Sequence, residues 1–278
     1  MDRAFSQVDV FTEKPFMGNP VAVIHDAMGL SDGQMQAIAR WTNLSETTFV
    51  LPPNHPDADY RLRIFTPSSE IPFAGHPTLG SAWARLQSGL HPKKEGILVQ
   101  ECAKGLVALK FSEESVFLKL PEPGYSEAEE HELRFAAQAL GIDRSEILAG
   151  AHVDVGPIWF TLQLESARKV VELKPDMAKI ASSEGITGIT VFGPHPDGNI
   201  EVRSFAPAFG VPEDPVCGSG NGCVAALIRR KSLISGSGYT ALQGRCLGRD
   251  GKVEIQYDDA IWVGGRCAVR IAGRIRSE

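Results

Sequence analysis

Residues Val211–Leu227 read VPEDPVCGSGNGCVAAL, and an earlier stretch, Arg63–Ala82, reads RIFTPSSEIPFAGHPTLGSA. The two can be laid on each other. RIFTPSSEIP (63–72) matches RSFAPAFGVP (203–212) at an offset of 140, with Arg, Phe, Pro and the final Pro recurring. AGHPTLGSA (74–82) matches CGSGNGCVA (217–225) at an offset of 143. Upstream, MQAIARWTNLSETTFV (35–50) matches MAKIASSEGITGITVF (177–192) at an offset of 142. Near-constant offsets in unbroken order mark a duplicated unit.

Short β-type runs surround these segments: VDVF, VAVI, TTFVL, YRLRIF, ILVQEC, LVALKF and SVFLKL, each bounded by Gly, Pro or charge. HPTLGSAWARLQ is apolar nearly all round, which predicts a buried helix. Such a helix needs a sheet wrapped about it. The expected fold is therefore α+β, with two pseudo-symmetric halves, each a β-barrel-like sheet around a central helix. The expected halves are residues 1–120, completed by a C-terminal strand at 265–278, and residues 121–264. LPEPGYSEAEE predicts a linker near 121–128. Two further helices are predicted. SDGQMQAIARWTN is capped by Ser31 and carries Met35, Ile38 and Ala39 on one face. AEEHELRFAAQALG ends on Gly141.

The chain has 278 residues, 43% of them hydrophobic, and a formal net charge of -6, which disfavours a nucleic-acid partner. No apolar run approaches the roughly 20 residues of a membrane helix. MDRAFSQVDVFTEKPF has no basic region followed by an apolar one, so no signal peptide is read and a cytoplasmic location is expected. Five scattered cysteines, without a Cys-x-x-Cys pair or a nearby His, fit neither a disulfide framework nor a zinc site, and no metal is expected.

The candidate chemistry gathers where the two central helices begin, at AGHP and at CGSGNG. Helix N-termini offer N–H groups and partial positive charge, which suits a substrate carboxylate. A nucleotide phosphate is excluded. No Lys-Ser/Thr follows the glycines, and Gly218, Gly220 and Gly222 lack the Gly-x-Gly-x-x-Gly spacing. The two copies also differ. Glu46 aligns with Gly188, His76 aligns with Ser219, and Asp214 has no counterpart in PFAG. Alone, a Glu such as Glu46 is more often a surface charge, and an Asp such as Asp214 is more often a turn residue. Their placement in matched segments predicts a composite site in a cleft between the halves, suited to proton transfer.

The motifs PFMGNPVAVI, LSETTFV, RIFTPSSEIPFAGHPTLGSAWA and VRSFAPAFGVPEDPVCGSGNG together resemble the phenazine-biosynthesis isomerase family (PhzF-type), of the diaminopimelate epimerase-like fold. The resemblance spans nearly the whole chain. It implies a cofactor-independent isomerase of a small carboxylic acid, usually a homodimer, with no metal and no organic cofactor. By that resemblance Glu46 is the proton carrier, and His76 and Asp214 assist. Ser219, Gly75, Gly218 and Gly220 hold the substrate, and Asn19 contacts it. The wider fold group includes epimerases with one thiolate per half. Here the equivalent places hold Ala74 and Cys217, which excludes a two-thiol mechanism. The alternatives are a one-thiol epimerase or racemase using Cys217, and a non-catalytic small-acid binding protein. Specificity is expected in loops such as LPPNHPDAD and PAFGVPE, which do not name the substrate.

Overall fold

Nine consecutive residues of one helix, His76 to Ala84, are buried in the computed structural model, which describes residues 2–234 and 236–277. The chain divides into two compact units, Met1–Lys119 with Gly264–Glu278, and Leu120–Val263. The end residues Met1 and Glu278 of the expected N-terminal half, and Ser235 of the second, lie outside the described residues.

The first unit contains β1 (Asp2–Val10), β2 (Asn19–Ile24), α1 (Asp32–Thr42), β3 (Thr47–Leu51), β4 (Tyr60–Phe65), β5 (Glu70–Ile71), α2 (Gly75–Gln87), β6 (Ile97–Cys102), β7 (Gly105–Phe111) and β8 (Ser115–Lys119). β1–β2, β3–β4, β6–β7 and β7–β8 pair antiparallel, while β2–β3 and β4–β6 pair parallel. The C-terminal strand Ile261–Arg276 pairs with both β8 and β1, and so closes a ring of eight strands. Helix α2 fills that ring and packs on β1, β2, β3 and β8. Its apolar circumference answers to this: no face meets solvent over its first nine buried positions. Gly80 sits where the helix comes nearest the wall. A Cβ there would lie 2.4 Å from Val21 Cγ1 and 2.8 Å from Val10 Cγ2. Buried polar side chains pair along the helix: Ser81 Oγ meets Thr48 Oγ1 at 2.8 Å, and Gln100 links Thr78 to Tyr60. Outside the ring, α1 lays Met35 and Ala39 against Phe49, Leu51 and Phe65.

The second unit runs β9 (Gly124–Glu127), α3 (Glu130–Leu140), β10 (Ala149–Asp154), β11 (Ile158–Gln163), α4 (Ala167–Glu172), α5 (Met177–Ala181), β12 (Gly188–Pro194), β13 (Ile200–Ala206), β14 (Val211–Asp214), α6 (Gly218–Lys231), β15 (Gly238–Gln243) and β16 (Gly251–Tyr257), and ends within the C-terminal strand β17 (Ile261–Arg276), which belongs to the first unit from Gly264 on. From β10 to β16 the pairings repeat those of the first unit: antiparallel β10–β11, parallel β11–β12, antiparallel β12–β13, parallel β13–β15, antiparallel β15–β16. Thr48 pairs with Ile64 in one copy, and its counterpart Thr190 pairs with Ser204 in the other. Helix α6 is buried from Gly220 to Ile228 and packs on β10, β11, β12 and β16. Helices α3 to α5 cover the outside, with Ala136, Leu140, Val170 and Ile180 against Phe160, Leu162 and Val191. The fold is thus α+β and pseudo-symmetric.

One expectation is corrected. The segment near 121–128 is not only a linker: Gly124–Glu127 forms β9, antiparallel to β10. Tyr125 secures it. Its hydroxyl donates to the Ala226 carbonyl at 3.2 Å, and Arg230 stacks over its ring at 4.3 Å. Pro121 and Pro123, just before it, hide a strand that is anchored by tertiary contacts. No helix among the described residues is long and apolar enough to cross a membrane.

Candidate active site

In the first unit the site is built at the rim where β2 and β3 begin. Helix α1 starts in a capping box, with Ser31 Oγ accepting from Gln34 N–H at 3.3 Å and Gln34 Oε1 accepting from Ser31 N–H at 2.9 Å. It ends at Asn43, left-handed at φ 53°. Only Leu44, Ser45 and Glu46 then remain before β3. The loop's two ends are tied by Thr42 Oγ1 and Thr47 Oγ1, 2.6 Å apart. This holds Glu46 inward: its side chain is 16% exposed, and Oε2 lies 3.4 Å from His76 Nε2. The contact is a close approach rather than an aligned hydrogen bond, and Glu46 Oε2 is buried with no hydrogen-bond partner. Burial pushes the Glu46 carboxyl up to about 7, and a hydrogen bond with Ser45 pulls partly against it. A carboxyl poised there takes and returns protons at neutral pH.

His76 occupies the second position of α2, after the N-cap Ala74, which has no side chain to cap with. Pro77 follows and brings no N–H, so Gly75 and His76 supply the backbone donors of the first turn. Asn19 is the first residue of β2, 2% exposed, opposite Val10. Because β2 and β3 are parallel, with Ala22 opposite Thr47, Asn19 and Glu46 stand at the same end of the barrel.

In the second unit the corresponding helix head is more heavily built. The N-cap of α6 is Cys217, the structural counterpart of Ala74. Its Sγ accepts from Gly220 N–H at 3.2 Å. Cys217 N–H donates to Gln243 Oε1 at 3.1 Å, Asn221 Nδ2 donates to the same oxygen at 2.7 Å, and Gln243 Nε2 donates to the Asp214 carbonyl at 3.0 Å. Asp214 Oδ1 accepts from Val216 N–H at 3.0 Å, turning the chain at Pro215. Ser219 Oγ accepts from Trp159 Nε1–H at 3.0 Å and lies 3.6 Å from Cys217 Sγ. Burial first, and then the Asp214 carboxylate, push the Cys217 thiol far up, so it stays protonated.

One expectation changes here, that for Gly220. Ser219 sits inside the first turn of α6, and the Cys217 thiol does the capping. Gly220 is a packing glycine. A Cβ there would lie 2.5 Å from Ser204 Oγ and 3.2 Å from Thr190 Oγ1, and its N–H is already given to Cys217, so it offers no donor to a substrate. Glu46, His76, Gly75 and Asn19 belong to the first unit; Asp214, Cys217, Gly218, Ser219 and Gly220 belong to the second. The sequence reading missed Trp159, Asn221 and Gln243, which support the head of α6. A Trp in a β-run looks like core, and the two amides carry no motif.

A family model described as phenazine biosynthesis-like protein matches residues 8–275. The chain is similar to antisense-enhancing sequence 1 of Schizosaccharomyces pombe, at 40% identity over 291 residues, covering 98% of each chain. It is similar to the trans-2,3-dihydro-3-hydroxyanthranilate isomerase of Pseudomonas aeruginosa, at 36% identity over 264 residues, covering 91% of this chain and 90% of that one. Among solved structures, a phenazine biosynthesis protein of the PhzF family from Bacillus anthracis matches with a TM-score of 0.86 at 24% identity, over 99% of both chains. At that identity the last likeness concerns the fold.

Proposed function

The chain belongs to the phenazine biosynthesis-like (PhzF) family and is an isomerase-type enzyme, and from that premise we propose that Glu46 moves a proton between two carbons of a small unsaturated carboxylic acid. The observation that carries this is the buried Glu46 carboxyl, 3.4 Å from His76 and pushed up to about 7. As carboxylate, Glu46 takes the proton from one carbon; as the acid so formed, it returns the proton to another. No redox change and no cofactor chemistry are needed, since atoms and electrons balance within the substrate. His76 Nε2 steadies the carboxylate or the developing charge beside it. In the first unit the Gly75 N–H suits a substrate carboxylate and Asn19 suits contact with the substrate's body; in the second, the Gly218 N–H and the Ser219 hydroxyl suit a carboxylate and Asp214 suits an orienting role. A ring acid of the kind named for the Pseudomonas aeruginosa relative is the proposed substrate class. A homodimer in the cytoplasm belongs to the same reading, and sedimentation equilibrium tests the dimer.

A one-thiol epimerase is not favoured, because the Cys217 thiol is capped into the helix and held protonated. Simple binding has no use for a carboxyl held half-ionised at neutral pH. The test is solvent deuterium incorporation into trans-2,3-dihydro-3-hydroxyanthranilate. Glu46→Gln is expected to slow it by about 10²–10⁴-fold while ligand-induced thermal stabilisation persists. Wild-type exchange in that variant sinks the proposal.

A further inference from the structure

The strand before each central helix is built differently in the two units. In the first, β5 pairs with β4 in regular register, Ile64 opposite Ile71 and Phe65 opposite Glu70. In the second, Ser204 lies opposite Asp214 but Ala206 opposite Val211, so β14 carries one residue more than β13 over that span. A bulge leaves the ladder locally broken. Pro215, next in the chain, adds no N–H to repair it. The backbone ladder alone therefore does not fix where Asp214 points.

Beside the Val216 and Gln243 bonds to Asp214, Arg203 adds a constraint on the strand itself. Its Nε and Nη2 donate to Glu213 Oε1 and Oε2, both at 2.9 Å, a bidentate fork. Its Nη1 donates to the carbonyls of Val170, Val171 and Leu173, at 3.3, 3.4 and 3.0 Å, at the end of α4. The guanidinium also lies 4.9 Å from the Phe205 ring. The two side chains are 7% and 9% exposed. Successive strand residues point to opposite faces. Gripping Glu213 on one face therefore turns Asp214 to the face of Ser204. That face is the α6 side, since Ser204 Oγ meets Thr190 Oγ1 and abuts Gly220. The first unit has the equivalent pair, Arg63–Glu70, at 24% and 39% exposure, and no carboxylate follows it before α2. Arg63 is also held on several sides, with Nη1 donating to Asp32 Oδ1 at 2.7 Å, but that site is open to solvent. The buried version of the clamp stands where the next segment delivers a candidate site carboxylate.

We propose that the Arg203–Glu213 pair is a positioning device that sets the bulged β14 and thereby holds Asp214 in its working orientation at the head of α6. This rests on the reading of Asp214 as a site residue. The test is the deuterium exchange of trans-2,3-dihydro-3-hydroxyanthranilate, with folding checked by circular dichroism and melting. Arg203→Lys and Glu213→Gln each should lower kcat by about 10–100-fold with KM unchanged. Arg63→Lys and Glu70→Gln should leave kcat at the wild-type value. In an Asp214→Asn background, Arg203→Lys should cause no further loss, as expected when one residue acts through another. If Arg203→Lys does not fold, Glu213→Gln, which keeps the side-chain shape, is read in its place. Wild-type kcat in the folded variants, a change confined to KM, or an equal loss in the Asp214→Asn background overturns the proposal. An Asp214→Asn enzyme with full activity overturns the underlying reading as well, whereas an inactive Asp214→Asn beside an active Arg203→Lys overturns the positioning role alone.

Discussion

At the head of α2 the cap is Ala74, the chain enters through a regular two-residue strand, and the nearby carboxylate, Glu46, comes from a separate loop. At the head of α6 the cap is Cys217, the chain enters through a bulged strand, and the carboxylate, Asp214, lies in that entering strand. The backbone plan is the same, strand pairing by strand pairing, yet the polar groups are delivered by different routes. Duplication supplies two helix heads, and divergence places different polar groups at each. What a copy adds to the shared plan is therefore where function is to be sought: Glu46 and His76 in one, Asp214 with its clamp in the other.

The largest expected difference between the copies lies in their arginine pairs. Arg203→Met leaves Glu213 buried without its partner, which should cost about 3–5 kcal/mol. Arg63→Met breaks a pair that solvent reaches, for about 0–1 kcal/mol. Urea denaturation of the two variants at neutral pH measures both, and equal losses would erase the distinction. Next come the glycines of the central helices. Gly80→Ala drives a methyl into Val21 and Val10, stiff β-branched side chains on the barrel wall. It should destabilise by about 1–3 kcal/mol as overpacking, less whatever alanine gains in the helix. Gly222→Ala meets only the end of Leu120, 2.6 Å from Cδ1, which can turn aside. That variant should be close to neutral by the same denaturation assay.

A third effect is one of pH. The folded-state value for Glu46 stands above its ordinary value of 4.5, at about 7. The folded protein therefore holds a proton that the unfolded chain releases between those values. Stability from this group is full below the ordinary value and is lost as pH rises towards 7. The melting temperature of wild type relative to Glu46→Gln should fall across that window and level off above it. A constant difference from pH 4 to 8 would contradict the burial assigned to Glu46.

The duplication was legible because its recurring residues have a repeated physical task. Arg63 stacks over Phe65 and grips Glu70, and Arg203 stacks over Phe205 and grips Glu213. The buried central helix was legible from its all-round apolar pattern, and α1 from its Ser31 cap. Other features leave no local trace. Strand β9 depends on Tyr125 reaching a carbonyl a hundred residues away. The capping thiol of Cys217 is a weak acceptor beside a serine that ranks as the better cap, and only the turn geometry decides between them. Gly220 looked like a ligand-facing glycine, but its missing side chain makes room for Ser204. Trp159, Asn221 and Gln243 act through contacts between α6 and strands distant in sequence, which no spacing encodes.

The central claim is that a carboxyl in the first unit, rather than a thiol in the second, carries the proton. The pH profile of solvent deuterium exchange into trans-2,3-dihydro-3-hydroxyanthranilate tests it most directly. The base form of Glu46 must start the reaction, so the rate should rise with pH, bend near 7 and stay level above, with Cys217→Ser following the same curve. A rate that keeps climbing into the thiol range, and that collapses in Cys217→Ser, would contradict it.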